Sequence, residues 1–198
     1  MSTRFLDACG LHSAVICFTI IENGSHRKIN ASGSADAEEK RMQEKRPVTD
    51  YTLLIQQAEE ILNAEPWYTA AMSNLSALLA VSMEQLNWAG FYLIRNGQLV
   101  VGPFQGKPAC IHIPIGKGVC GTAIAQDRMQ VVPDVHAFPG HIACDSASAS
   151  EIVIPIHEGG EIRAVLDIDS PVRDRFSAED AVGLTEFVRL IERKISWV

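Results

Sequence analysis

The chain offers five thiols, Cys9, Cys17, Cys110, Cys120 and Cys144, and two carboxylates spaced two apart, Asp167 and Asp169. On an extended strand, residues i and i+2 share a face, so both carboxylates point one way while Leu166 and Ile168 point into the core. Two ionised carboxylates side by side repel, so one must keep its proton toward neutral pH. Such a pair can donate that proton or grip a cation. The competing reading is a solvated strand end ahead of Pro171. Glu151 opens the adjoining strand and can add a third acid, although taken alone it reads as an ordinary exposed glutamate.

Cys144 lies in a polar stretch between His141 and Asp145, an unusual setting for a core cysteine. Its thiolate would be the nucleophile, yet a thiol of ordinary pKa, about 8.5, is only a few per cent ionised at pH 7. Acids nearby raise that pKa further, so a bound substrate or a local hydrogen bond must help. Cys110 shares a predicted strand face with His112, opposite Ile111, Ile113 and Ile115. Cys120 stands at the start of a short helix, where the dipole favours a thiolate, while Val119 and Ala123 suit a buried cysteine equally well.

Two further chemistries compete for these residues. Cys110, Cys120, Cys144, His112 and His141 supply enough soft ligands for tetrahedral zinc, but structural zinc sites are built from tight ligand pairs. Only His141 and Cys144 form such a pair, and Cys110 and His112 sit too close on an extended strand, so no metal is expected. Gly116, Gly118 and Gly121 match GxGxxG between a strand and a helix. Only one βαβ-like unit is available and hairpins flank it, which argues against dinucleotide binding. The helix N-terminus there can still hold a small anion such as an amino-acid carboxylate.

These residues need a scaffold. Tyr51 to Leu62 has helical spacing through Leu54, Ile55, Ala58 and Leu62, and Pro66 opens a second helix to about Leu86 with Met72, Leu75, Leu79 and Met83 as its stripe. Asn87 to Arg95 and Gln98 to Phe104 are strands joined by a type I′ turn at Asn96-Gly97. Cys110 to Ile115 alternates as a strand, Val119 to Gln126 is a short helix, and Gln130 to Val132 a brief strand. Pro133 to Ser150 is a long irregular stretch, and long loops in compact domains are often functional. Ile152 to His157 and Ile162 to Asp169 are strands joined at Glu158-Gly159-Gly160. A last helix starts at a capping box, Ser177 with Asp180, and buries Leu184, Val188, Ile191 and Ile195. The pattern is an α+β fold: a central antiparallel-rich sheet, N- and C-terminal helices packed on one face, and a ligand pocket on the other.

With 198 residues, 47% of them hydrophobic, the chain can bury one good core. Its net charge of −7, with no basic cluster, excludes nucleic acid as a partner. No apolar run approaches the roughly 18 to 20 residues of a membrane span. Residues 1–50 read as an N-terminal extension and 51–198 as the globular domain. Within the extension, Ser13 to Ile21 is apolar and Glu22 to Arg46 is charged and poor in residues to bury, the composition of a flexible tail. A cytoplasmic protein is expected, with organelle targeting by the extension as the lesser alternative.

Read in order, several segments resemble the free methionine-R-sulfoxide reductase family, which is built on a GAF domain. They are Asn87-Trp88-Ala89-Gly90-Phe91-Tyr92, Gly102-Pro103-Phe104-Gln105-Gly106 with Ala109-Cys110, and Ile113-Pro114 with Gly118-Val119-Cys120-Gly121. Asp134-Val135, Gly140-His141-Ile142 with Cys144-Asp145, Ser150-Glu151-Ile152-Val153 and Asp167-Ile168-Asp169-Ser170 complete the set. The resemblance covers roughly 51 to 198; Cys9 and Cys17 have no counterpart in it. It implies that Cys144 attacks the sulfoxide sulfur and becomes a sulfenic acid. Cys110 then resolves it as a disulfide, with Cys120 as an alternative resolving or relay thiol. Glu151, Asp167, Asp169 and Trp88 would line the pocket. No cofactor is implied, since electrons arrive from NADPH through thioredoxin. Free methionine sulfoxide and thioredoxin are the implied partners, and pairing into a homodimer stays open. The alternatives are a GAF sensor that binds a small ligand without turnover, and a cysteine redox switch with no methionine substrate.

Overall fold

The computed structural model describes residues 47–198. The expectations for residues 1–46, including Cys9, Cys17 and any targeting role, lie outside the described residues. Helices α1 (Tyr51–Ala64) and α2 (Tyr68–Ser82) come first, then strands β1 (Trp88–Arg95), β2 (Gln98–Gly106) and β3 (His112–Pro114). Helix α3 (Gly118–Gln126), strands β4 (Gln130–Val132), β5 (Ser150–Glu158) and β6 (Glu161–Ser170), and helix α4 (Ala178–Lys194) follow. The six strands form one antiparallel sheet in the order β3-β2-β1-β6-β5-β4.

Alternation along the strands sorts side chains into two cores. Ala89, Phe91, Ile152, Ile154, Ile156, Leu166 and Ile168 meet α1, α2 and α4 on one face. Trp88, Tyr92, Val153 and Val165 meet Val119, Cys120, Ala123 and Ile124 of α3 on the other. The α+β layering predicted from the sequence is therefore the one observed.

Local chemistry fixes most boundaries. Asp50 caps α1 by accepting from the Leu53 N–H, and Leu54, Ala58 and Leu62 form its buried stripe. Asn96 and Gly97 both have positive φ, 51° and 76°, as a type I′ turn requires. Ser177 and Asp180 form a complete capping box at α4. Asp180 also accepts from Tyr51 Oη at 2.8 Å and from Arg175 Nη1 at 3.0 Å, so one carboxylate ties α1, α4 and the fully buried Arg175 together.

Two predicted elements differ. Helix α2 starts at Tyr68 rather than Pro66 and ends at Ser82 rather than Leu86. The Pro66 carbonyl accepts from Ser196 N–H, and the Tyr68 N–H donates to the Ser196 carbonyl, so the C-terminal segment takes the groups a longer helix would use. Met83 turns extended yet stays buried, which is why the apolar stripe outruns the helix. The predicted strand from Cys110 to Ile115 shrinks to three residues, His112–Pro114. Only Ile113 is buried; Ile111 and Ile115 are 62% and 42% exposed. β3 is an edge strand pairing on one side only, so nothing forces its flanks to stay regular.

The 133–149 segment contains one 3-10 turn, Val135–Ala137, and is otherwise irregular. The fully buried Val135 pins it from within, and the Ala149 N–H bonds the Ser170 carbonyl. No described helix is long and apolar enough to cross a membrane.

Candidate active site

Strand register assembles the acids. Glu151 on β5 pairs with Asp169 on β6, which pairs in turn with Trp88 on β1, making one row across three strands. Asp167 stands in the next row of the same face, between Val153 and Gly90. Gly90 is required there by its other neighbour: a Cβ would collide with Phe104 on β2. Trp88 stacks between Tyr92 and Phe104, with centroids 5.7 and 5.1 Å away, and walls one side of the cluster.

Helix α3 closes the cluster from above. Gly121 packs so tightly over the Pro114 carbonyl that no Cβ fits, and Gly116 and Gly118 take positive φ to make the turn into the helix. The GxGxxG glycines thus dock a helix on an antiparallel sheet, and no βαβ unit surrounds them. Cys120 Sγ consequently reaches to 3.7 Å from Glu151 Oε1.

Burial dominates the electrostatics. Glu151 and Asp167 are 6% and 5% exposed. The expectation of an ordinary exposed Glu151 is therefore wrong, and so is the solvated strand end for Asp167. Desolvation, reinforced by Asp167, pushes Glu151 and Asp169 well above the usual carboxylate range. Desolvation pushes Asp167 itself up to about 6. The same burial, with Asp167 and Glu151 beside it, pushes the Cys120 thiol well up. Of the two readings open for Cys120, a thiolate at a helix start or a buried core thiol, burial is the one observed.

Cys144 reaches the cluster from the 133–149 loop and is joined to Cys110 by a disulfide, with Cα atoms 5.3 Å apart. Cys120 is a free, buried thiol. Two small cavities flank Cys144, of about 20 Å³ and about 10 Å³. They share Cys144, Asp145, Asp167 and Asp169; the larger also meets Cys120, His141, Ser148 and Glu151, the smaller Trp88 and Tyr92. Cys110 lines neither. The larger has room for one or two waters, less than an amino acid fills. Inside, Asp167 Oδ1 and Trp88 Nε1 are buried without partners, an acceptor and a donor for a ligand to satisfy.

The structure thus brings Cys144, Cys110, Cys120, Glu151, Asp167, Asp169 and Trp88 together. His112 stays outside, exposed on β3. The five-ligand zinc set is broken up, since Cys110 and Cys144 bond each other. Among the described residues, the donor atoms that do converge are those of Cys120, Glu151 and Asp167, within 4.8 Å of one another.

Several contributors carried no signal that residue type could supply. Asn87 Nδ2 donates to Asp145 Oδ2 at 3.2 Å and Ser148 Oγ at 2.9 Å, fastening the loop to the start of β1. The Ala147 N–H and then Asn87 hold Asp145 below the usual carboxylate range, so an anion stands directly after Cys144. The Tyr92 hydroxyl donates to the Cys110 carbonyl at 3.0 Å.

A GAF domain family model matches residues 72–196. Protein YtsP of Bacillus subtilis is 52% identical over 74% of this chain and 91% of its own length. Free methionine-R-sulfoxide reductase of Escherichia coli is 50% identical over 69% of this chain and 82% of its own. The structure of fRMsr of Staphylococcus aureus in complex with substrate superposes with a TM-score of 0.73 at 51% identity, covering 77% of this chain and 99% of that one. On that likeness the chain belongs to the free methionine-R-sulfoxide reductase family, built on a GAF domain.

Proposed function

We propose that this protein reduces free methionine-R-sulfoxide to methionine, with Cys144 as nucleophile, Cys110 as resolving thiol and thioredoxin as the reductant. The observation that carries this reading is the Cys110–Cys144 disulfide standing beside the buried Glu151 and Asp167 and the half-buried Asp169. Cys144 is the nucleophile because it lines the cavities the acids line, whereas Cys110 does not.

The step needs a thiolate and a proton at one place. The Cys144 thiolate attacks the sulfoxide sulfur while a carboxyl protonates the departing oxygen. Burial supplies the second requirement: acids raised by desolvation keep protons near neutral pH, and protonated acids do not repel the thiolate. Asp167 and Glu151 are placed for that transfer, with Asp169 and Trp88 shaping the pocket. The oxygen passes to Cys144 as a sulfenic acid and methionine leaves; the Cys110 thiol then attacks the sulfenic sulfur and expels water. Thioredoxin reduces the resulting disulfide, drawing its electrons from NADPH through its own reductase. The domain assigned the activity is 51–198, with residues 1–50 as an N-terminal extension whose Asp50 caps its first helix. Cys120, buried and held protonated, is the reserve thiol that becomes visible when Cys110 is removed. Assembly as a homodimer is a separate expectation, checked by sedimentation.

The test is NADPH consumption in a thioredoxin-coupled assay with free methionine-R-sulfoxide, the free S epimer and a blocked peptide sulfoxide in parallel. Turnover of the free R form alone is expected. No turnover of any of them, with the thiols reduced at the start, overturns the reading in favour of a sensor or a redox switch.

A further inference from the structure

We infer that Asn87 is a positioning residue for the sulfoxide attack: its side-chain amide sets the loop that carries Cys144 against the acid row of the sheet, and so governs the chemical step rather than substrate affinity. The inference rests on the reading proposed above, in which Cys144 is the nucleophile.

A nucleophile on an irregular loop needs a fixed reference. Asp145 directly follows Cys144, and the Ser148 N–H donates to the Asp145 carbonyl at 3.2 Å, so the two belong to one turn. One amide grips both side chains: Asn87 Nδ2 donates to Asp145 Oδ2 at 3.2 Å and to Ser148 Oγ at 2.9 Å. Asn87 is itself anchored to the acid row. Its backbone N–H donates to the Asp169 carbonyl at 3.1 Å, and the next residue, Trp88, pairs with Asp169. The buried Ser148 also hydrogen-bonds the Asp169 carboxyl, which closes the ring of contacts. Through Asp145, Asn87 and Ser148, the backbone that bears Cys144 is referred to the strands that bear the acids.

Only an amide serves both partners. The ionised Asp145 already takes the Ala147 N–H on Oδ1, and a carboxylate can only accept, so the group facing Oδ2 must donate. Two hydrogens on one nitrogen reach the carboxylate and the hydroxyl together. An aspartate at position 87 would have no hydrogen to give and would repel Asp145. Lys107 also approaches Asp145, at 3.4 Å, but it is 69% exposed and adds little. The other end of the same amide shows what the contact costs: Asn87 Oδ1 is buried without a partner. An orphaned buried acceptor weakens a fold, and the positioning of the loop accounts for its presence here.

The consequence is a split between rate and binding. Glu151, Asp167, Asp169 and Trp88 stand on strands and stay in place when the loop slackens. The sulfur does not, and a misplacement of about 1 Å in a reacting group costs about 10²-fold in rate.

The experiment follows methionine release in a single turnover of the pre-reduced full-length chain, over a range of free methionine-R-sulfoxide concentrations. Asn87→Ala is expected to lower the maximal rate about 10- to 10²-fold, with the half-saturating concentration changed less than about twofold. Ser148→Ala removes one arm of the clip and is expected to cost about three- to tenfold. Asn87→Asp is expected to be at least as slow as Asn87→Ala. Adding Asp145→Asn to it is expected to recover most of the rate, because the exchange puts the donor on the loop and the acceptor beside the strand. A full rate in Asn87→Ala overturns the inference, and so does a double variant no faster than Asn87→Asp. Melting temperatures of the reduced proteins separate misplacement from unfolding; where Asn87→Asp does not fold, Asn87→Ala and Ser148→Ala decide. A second readout needs no sulfoxide. A loop held near Cys110 favours the Cys110–Cys144 disulfide, so Asn87→Ala is expected to shift its equilibrium with dithiothreitol about five- to tenfold toward the reduced protein, one dithiol being oxidised for each disulfide opened. A wild type that releases no methionine strikes the proposed function instead, and an unchanged equilibrium then overturns the role of Asn87.

Discussion

The two faces of the sheet obey opposite rules. The face under α1, α2 and α4 is lined by Phe91, Ile154, Ile156, Leu166 and Ile168, residues that ask only for volume and dryness. The face under α3 mixes Val153 and Val165 with Glu151 and Asp167, so the same strands that bury leucine on one side bury acids on the other. The first face stabilises the fold. The second gives up stability to hold carboxyl groups out of water, which is the condition for holding their protons near pH 7.

The sharpest way to break this contrast is Cys144→Ser, which is expected to remove all reduction of free methionine-R-sulfoxide while the circular dichroism spectrum and melting temperature of the reduced protein stay as they were. Next comes Asp167→Asn, expected to lower kcat about 10²- to 10³-fold, as loss of a proton donor does. It is not expected to lower the melting temperature, because an amide does not ionise. Leu166→Ala, its neighbour on the other face, should do the reverse. It costs about 2–5 kcal/mol in urea unfolding, with kcat altered far less than in Asp167→Asn. If both variants lost activity and stability together, the division of labour between faces would be wrong.

Acidity gives a subtler test. A carboxyl whose folded pKa is raised favours the folded state only while protonated. The stability associated with Asp167 is therefore present below its unfolded pKa, near 3.9, and is lost as pH rises through its folded value of about 6. Urea midpoints of the wild type, taken relative to Asp167→Asn, should fall between pH 4 and pH 7 and then level off. The smallest expected effect is at the periphery: Asp50→Ala removes the α1 cap and costs about 1 kcal/mol in urea unfolding, with no change in kcat.

The apolar face was the easier one to read in the sequence. Helical spacing from Leu54 to Leu62 and the alternation of Leu166 and Ile168 each follow from one periodicity, and the structure keeps both. The acid face was legible in part. The i, i+2 spacing of Asp167 and Asp169 put them on one face, but burial is a property of what covers a strand, and α3 is not visible from Glu151. That is why Glu151 read as exposed. Ile111 and Ile115 failed for the mirror reason, since alternation records which way a side chain points and not whether anything lies beyond it. The pairing of Cys110 with Cys144 came from family likeness alone, because 34 residues, holding two strands, a helix and a 3-10 turn, separate them. Asn87 stood out only as the first residue of a segment shared with the family, and Ser148 carried no pattern, since a single polar residue at the end of an element has no periodicity to mark it.

The disulfide also sets how long the protein lasts. It closes a loop of 34 residues, and a crosslink of that span disfavours the unfolded chain by about 4 kcal/mol in the chain-entropy account. In the proposed cycle each turnover ties this knot and the reductant unties it. When reducing power is plentiful the protein spends its time in the looser form, more open to proteases and heat. When reducing power fails it accumulates in the tighter form, inactive but protected, and so persists until electrons return.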